Sequence, residues 1–103
     1  MATIAGFDWD HANRTKCQKH GVPVATIKAM FAGEVAVLPD PVHSQREERS
    51  HAIGRLTSGR GVFVVFPLRQ RDGETLIRPI SARYIHREEV AYYEKEIAKT
   101  DKR

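Results

Sequence analysis

The run GVFVVF at positions 61–66 is apolar at every position after its glycine, so the strand it forms must be covered on both faces. A chain of 103 residues has room for one core, and this run marks the centre of its sheet. HAIGRLT (51–57) and GVFVVFPL (61–68) read as two strands joined by the glycine-rich SGRG. VAVL (35–38), stopped by PDP, reads as a shorter strand before them, with the polar HSQREER between. QRDGE (70–74) marks the next turn, and TLIRPISAR (75–83) makes a fourth strand.

Helical signals flank the strands. Asp10 is an N-cap for a helix through about His20, and Gly21 supplies the left-handed stop. Pro23 suits the start of a second helix, in which Val24, Ile27, Met30 and Phe31 recur at helical spacing to about Ala32. From about His86 to Lys99, Val90, Tyr93 and Ile97 share one face, with Glu88 and Glu89 in the first turn where the macrodipole favours acids. The order predicts an α+β fold over residues 1–103 as a single domain: two N-terminal helices, a four-stranded antiparallel sheet and a C-terminal helix. Helices on one face would leave the other open as a binding surface.

Charge narrows the partners. Residues 1–51 hold six Lys/Arg against six Asp/Glu, whereas residues 52–103 hold eleven against seven, so the whole net charge of +4 sits in the second half. Most of these cations are arginine, which suits bidentate recognition of phosphate or carboxylate. The single cysteine, Cys17, excludes an internal disulfide and reads as a buried small residue rather than a nucleophile. No signal peptide and no 18-residue apolar run appear, which predicts a cytoplasmic protein without membrane association.

The strand ends carry the candidate chemistry. Strict alternation through IRPISAR places Ile77, Pro79, Ser81 and Arg83 on one face and Arg78, Ile80 and Ala82 on the other, unless a bulge at Pro79 exchanges the two arginines. Arg69 and Arg83 become neighbours if the hairpin closes tightly around QRDGE; otherwise they are solvated strand ends. HSQREER offers His43, Glu47, Glu48 and Arg49 either as acid and base or as a solvated face. The five histidines show no metal-ligand spacing, and no phosphate loop, dinucleotide fingerprint or nucleophile elbow is present. Arginine, histidine and glutamate together fit phosphodiester cleavage through a ribose 2′-hydroxyl, with no cofactor.

FDWD (7–10), Asn13, KHGV (19–22), Phe31, Asp40-Pro41 with His43-Ser44, EER (47–49), Ile53-Gly54, Gly59-Arg60, VVF (64–66), Arg69 and IRPISARYIHREE with Tyr92 and Tyr93 together resemble the BrnT toxins. The resemblance spans nearly the whole chain. It implies a RelE-like fold and a ribonuclease toxin that stops translation, paired with a BrnA-like ribbon-helix-helix antitoxin whose complex with the toxin represses its own promoter. By position it implies Arg69 and Arg83 as phosphate ligands, Tyr93 beside them, and His20 and Glu48 as base or acid. Lys16, Lys19 and Arg60 would steer RNA electrostatically. One departure from the pattern is Pro67, where a threonine commonly follows VVF. The alternative is a non-catalytic RelE-like module that poisons a protein target or acts only as co-repressor.

Overall fold

The computed structural model describes residues 4–33 and 35–101, with the side chains of His43 and residues 97–101 outside that description. The predicted place of Ile97 on the last helix, and any role of the His43 ring, therefore lie outside the described residues.

An unforeseen strand, β1 (Ile4–Phe7), comes first. Helix α1 (His11–Gln18) starts where Asp10 dictates: the Asp10 carboxylate accepts from the Asn13 amide at 3.0 Å, and Asn13 Oδ1 accepts from the Asp10 amide at 2.7 Å. This reciprocal box satisfies two amides that a helix start leaves without partners. The helix ends two residues before His20, and Gly21 takes a φ of 82°, open to glycine at little cost. Helix α2 (Val24–Ala32) follows Pro23 as expected.

The strands are β2 (Val35–Pro39), β3 (Ser50–Arg55), β4 (Gly61–Phe66), β5 (Leu68–Arg71), β6 (Glu74–Ile77) and β7 (Ser81–Ile85), followed by α3 (Arg87–Asp101). The α+β class stands, and a four-stranded antiparallel sheet is present in the order β2-β3-β4-β7. Its composition differs from expectation, because 61–68 and 75–83 are not two long strands. Each breaks at a proline and continues into a second sheet of order β1-β6-β5, in which β1 runs parallel to β6.

Pro67 and Pro79 have no amide to donate, so the ladder cannot run through them unchanged. The hairpin is held across the break by Arg78 N–H to Pro67 O (3.1 Å) and Ile80 N–H to Val65 O (2.9 Å). Leu68 pairs with Ile77 and Val65 with Ser81, so residues 78–80 oppose only 66 and 67. That one-residue bulge at Pro79 bends the ribbon and resets its alternation.

Both faces of the four-stranded sheet are covered, which corrects the expected open face. On one face Ala52, Val62, Val64, Phe66 and Ala82 pack with Cys17, Val22, Ile27 and Met30. Each fully buried aliphatic there contributes roughly 1.5–3 kcal/mol. Phe7, Phe31 and Phe66 continue this core edge to face, at centroid distances of 5.6 and 5.7 Å. On the other face Ile53 and Ile85 meet Val90 of α3, flanked by Phe63 and Tyr93. Gly61 makes that docking possible: a β-carbon there would run into Val90 and lie 2.7 Å from Ile85 Cγ1. An Arg55–Glu94 ion pair at 2.7 Å ties the helix to the end of β3.

Candidate functional site

The kinked ribbon decides where its arginines go. Arg78 turns back toward α1, donating to Asp10 at 2.8 Å and lying 3.6 Å from Asp8. Its side chain is only 18% exposed, and the Asp10 carboxyl is held below the usual carboxylate range, first by the Asn13 amide and then by Arg78. Arg78 is a structural clamp between the bulge and the first helix.

Arg69 lies on β5, the outer strand of the smaller sheet, opposite Leu76. Its guanidinium forks onto Glu47, with contacts of 2.6 and 3.4 Å, and Glu47 also accepts from Arg49 at 3.3 Å. Ser44 organises the loop that delivers Glu47: its hydroxyl donates to Asp40 O at 2.6 Å and accepts from the Arg49 amide at 3.0 Å. The Arg69 hydrogen bonds hold the Glu47 carboxyl below its ordinary range. A depressed carboxyl stabilises the fold at neutral pH and loses that contribution as pH falls through its folded value. Since the pair is about a third exposed, its share is only about 0.5–1 kcal/mol. Glu47→Gln is therefore expected to cost that amount at pH 7 and progressively less as pH falls through the folded value, read as urea midpoints across an acid series. A constant difference would show that the carboxylate charge is not what Arg69 uses.

Arg83 lies in the other sheet. Opposite Phe63 in β7, its guanidinium sits over the Phe63 ring at 4.7 Å and 3.7 Å from Glu89 of α3, with the side chain 46% exposed. The sequence left open that Arg69 and Arg83 converge on one phosphate; the register separates them, since their cross-strand partners are Leu76 and Phe63 and the break lies between. Tyr93 approaches the same Phe63 ring, at a centroid distance of 6.3 Å.

Beneath this cluster lies His51, which the sequence did not single out. Its ring is 4.8 Å from Phe63 and 5.8 Å from Tyr93, and Nδ1 lies 3.3 Å from the Asp40 carboxylate. Nε2 is buried without a hydrogen-bond partner while the side chain as a whole is 14% exposed, so the imidazole supports the aromatic platform with that nitrogen turned away from solvent. The alternation of His51 with Ile53 in HAIG was the available signal for its place on this face.

The remaining candidates are dispersed. Lys16, Lys19 and His20 are exposed at the end of α1, which packs on the sheet face opposite Arg83. Glu48 is exposed in the loop beside Glu47. Arg60 stacks on Tyr84 at 3.8 Å. Cys17 is fully buried, and burial pushes its thiol up to about 11, as befits a core residue. Among the described residues no group of histidine, cysteine, aspartate and glutamate is placed to hold a metal ion, and no helix is long and apolar enough to cross a membrane.

The surface around Arg83 therefore offers a half-exposed guanidinium held by an aromatic ring, a carboxylate within reach of it, and a tyrosine on the same platform. That set can hold an anion and exchange protons beside it. No curated protein matches the chain. A family model does, over residues 9–89, and its description is a ribonuclease toxin, BrnT, of a type II toxin-antitoxin system.

Proposed function

The chain belongs to the BrnT family of type II ribonuclease toxins, and from that premise we propose that it is a metal-independent endoribonuclease whose scissile phosphate sits at Arg83. The observation carrying this reading is the state of that arginine: half exposed, aimed by Phe63, and only loosely paired with Glu89. An incoming phosphate displaces a surface ion pair at little cost. Arg69, forked onto Glu47, is already engaged and serves as an outlying RNA contact once Glu47 swings aside.

The chemistry follows from charge and reach. The Arg83 guanidinium binds the non-bridging oxygens and compensates the charge that grows on them as the 2′-oxygen attacks phosphorus. Glu89 takes the 2′-hydroxyl proton. Tyr93 delivers its phenolic proton to the departing 5′-oxygen. The products are a 2′,3′-cyclic phosphate and a 5′-hydroxyl. Glu89 and Tyr93 replace His20 and Glu48 in these roles because they share the platform with Arg83, whereas His20 follows a helix on the far side of the sheet. Lys16 and Lys19 act at longer range by attracting the RNA backbone.

Family membership brings an antitoxin partner and an RNA substrate. We take the antitoxin to be a BrnA-like ribbon-helix-helix protein, operator DNA to be bound only through the complex, residues 1–103 to form one toxin domain, and translation in the cytoplasm to be the process stopped. Purified protein incubated with cellular RNA and excess EDTA is expected to leave cyclic-phosphate ends and to silence cell-free translation. Intact RNA alongside growth arrest would instead identify a non-catalytic module that blocks a protein target.

A further inference from the structure

Most arginines in the described chain are neutralised by carboxylates. Arg49, Arg55, Arg69, Arg71, Arg78 and Arg83 each lie within an ion-pair distance of Asp or Glu. Arg60 and Arg87 form no such pair among the described residues, and they stand together. With Ser58, Tyr84 and His86 they line a pocket of about 280 Å³ at the end of β7, and no carboxylate lines it.

The pocket is built rather than accidental. Leu56 N–H bonds to Arg60 O and Gly59 N–H to Leu56 O, both at 2.8 Å, closing the β3–β4 turn and fixing the backbone under Arg60. The Arg60 guanidinium is held over the Tyr84 ring at 3.8 Å. Arg87 runs along the same turn, where a β-carbon on Gly59 would touch its Cδ at 3.8 Å. Two cations kept side by side without a counter-charge lose less side-chain entropy on binding an anion and gain charge-assisted hydrogen bonds from it. Serine and tyrosine hydroxyls add neutral donors.

We propose that this pocket is a second phosphate subsite, taking an RNA phosphate next to or near the one held at Arg83. The proposal rests on the ribonuclease reading above. Tyr84 and Arg83 are consecutive in β7 and point to opposite faces, but β7 is the outer strand of its sheet. Among the described residues no strand pairs with its free edge, so a nucleic-acid strand crossing that edge meets Arg83 on one side and the pocket on the other. The pocket reaches toward the Arg83 side because Arg87 opens α3, the helix that covers that face.

The test uses 2′-deoxy oligonucleotides, which lack the attacking hydroxyl and so report binding alone. A fluorescent deoxydinucleotide is compared with the same molecule bearing one further terminal phosphate, by anisotropy, on the full chain and on variants verified as folded by circular dichroism. The extra phosphate is expected to tighten wild-type binding about tenfold. The gain should disappear in Arg60→Ala and in Arg87→Ala, and persist in Arg46→Ala, which removes an equal charge from an exposed loop. A tenfold gain that survives in the folded Arg60→Ala/Arg87→Ala double variant overturns the subsite, as does no gain in the wild type. The two readings separate cleanly: RNA cleavage without a phosphate gain leaves the ribonuclease and removes the pocket, whereas an Arg60-dependent gain without cleavage does the reverse.

Discussion

Replacing Arg83 by alanine is expected to lower RNA cleavage by about 10²–10³-fold, the range seen when one preorganised donor is removed from a developing oxyanion. Growth arrest on expression should be lifted to match. The fold should survive, because the side chain is half exposed, its Glu89 partner is 3.7 Å away, and a surface pair of that kind is worth about 1 kcal/mol or less. Loss of the stack on Phe63 adds about 0.5–1 kcal/mol. The melting temperature is therefore expected to fall by no more than about 10 °C, and any larger fall would mean that lost activity reflects lost structure. Arg83→Lys separates charge from geometry: an ammonium keeps the charge but not the fork, so it should recover only part of the rate. Arg69→Ala should cost less than Arg83→Ala, since its guanidinium is spent on Glu47. A folded Arg83→Ala protein that cleaves at the wild-type rate would move the active site elsewhere.

The contrast between these two arginines also marks what was legible before the fold was known. Signals confined to a few consecutive residues read correctly: the Asp10 cap, the glycine after the first helix, Pro23 ahead of the second, and the bulge that Pro79 invites. Features set by partners distant in the chain did not. IAGF carries no pattern of its own and becomes a strand only because β6, some seventy residues on, lies alongside it. Pro67 was visible as a departure from the family pattern, yet that it sends the ribbon into a second sheet depends on its position opposite the Pro79 bulge. The cover that α3 gives the second face turns on Gly61, a residue that looks like the tail of a hairpin loop and is the space into which Val90 fits. Arg83 and Tyr93 were singled out from the family resemblance, and each approaches the Phe63 ring. Glu47 was among the candidates of the polar loop, but its pairing with Arg69, like the places of His51 and Glu89, depends on register and on which face of a helix is laid down, and neither follows from one-dimensional spacing.

Asn13 connects the two kinds of information, and its loss should be the most damaging single change to stability. It is only 2% exposed and is fully engaged: Oδ1 accepts from the Asp10 amide, while Nδ2 donates to Asp8 O and to Pro79 O, both at 2.9 Å. The last bond spans 66 residues and fastens the first helix to the bulge. Asn13→Ala removes three hydrogen bonds at about 1 kcal/mol each and leaves buried carbonyls unpaired, for a total of about 3–4 kcal/mol. For a domain of this size that is a fall in melting temperature of about 15–25 °C. Asn13→Asp tests the direction of the bonds. It can still accept from the Asp10 amide, but it presents an anion to two carbonyl oxygens where a donor stood, so it should be no more stable than the alanine variant at pH 7 and should gain on it in acid. Because the Pro79 bulge sets the phase in which Arg83 emerges, cleavage by the folded fraction, measured well below the lowered melting point, should also drop. Urea unfolding that places Asn13→Ala within 1 kcal/mol of the wild type would show that the bulge holds without the helix, and that the register of Arg83 is set by the two prolines alone.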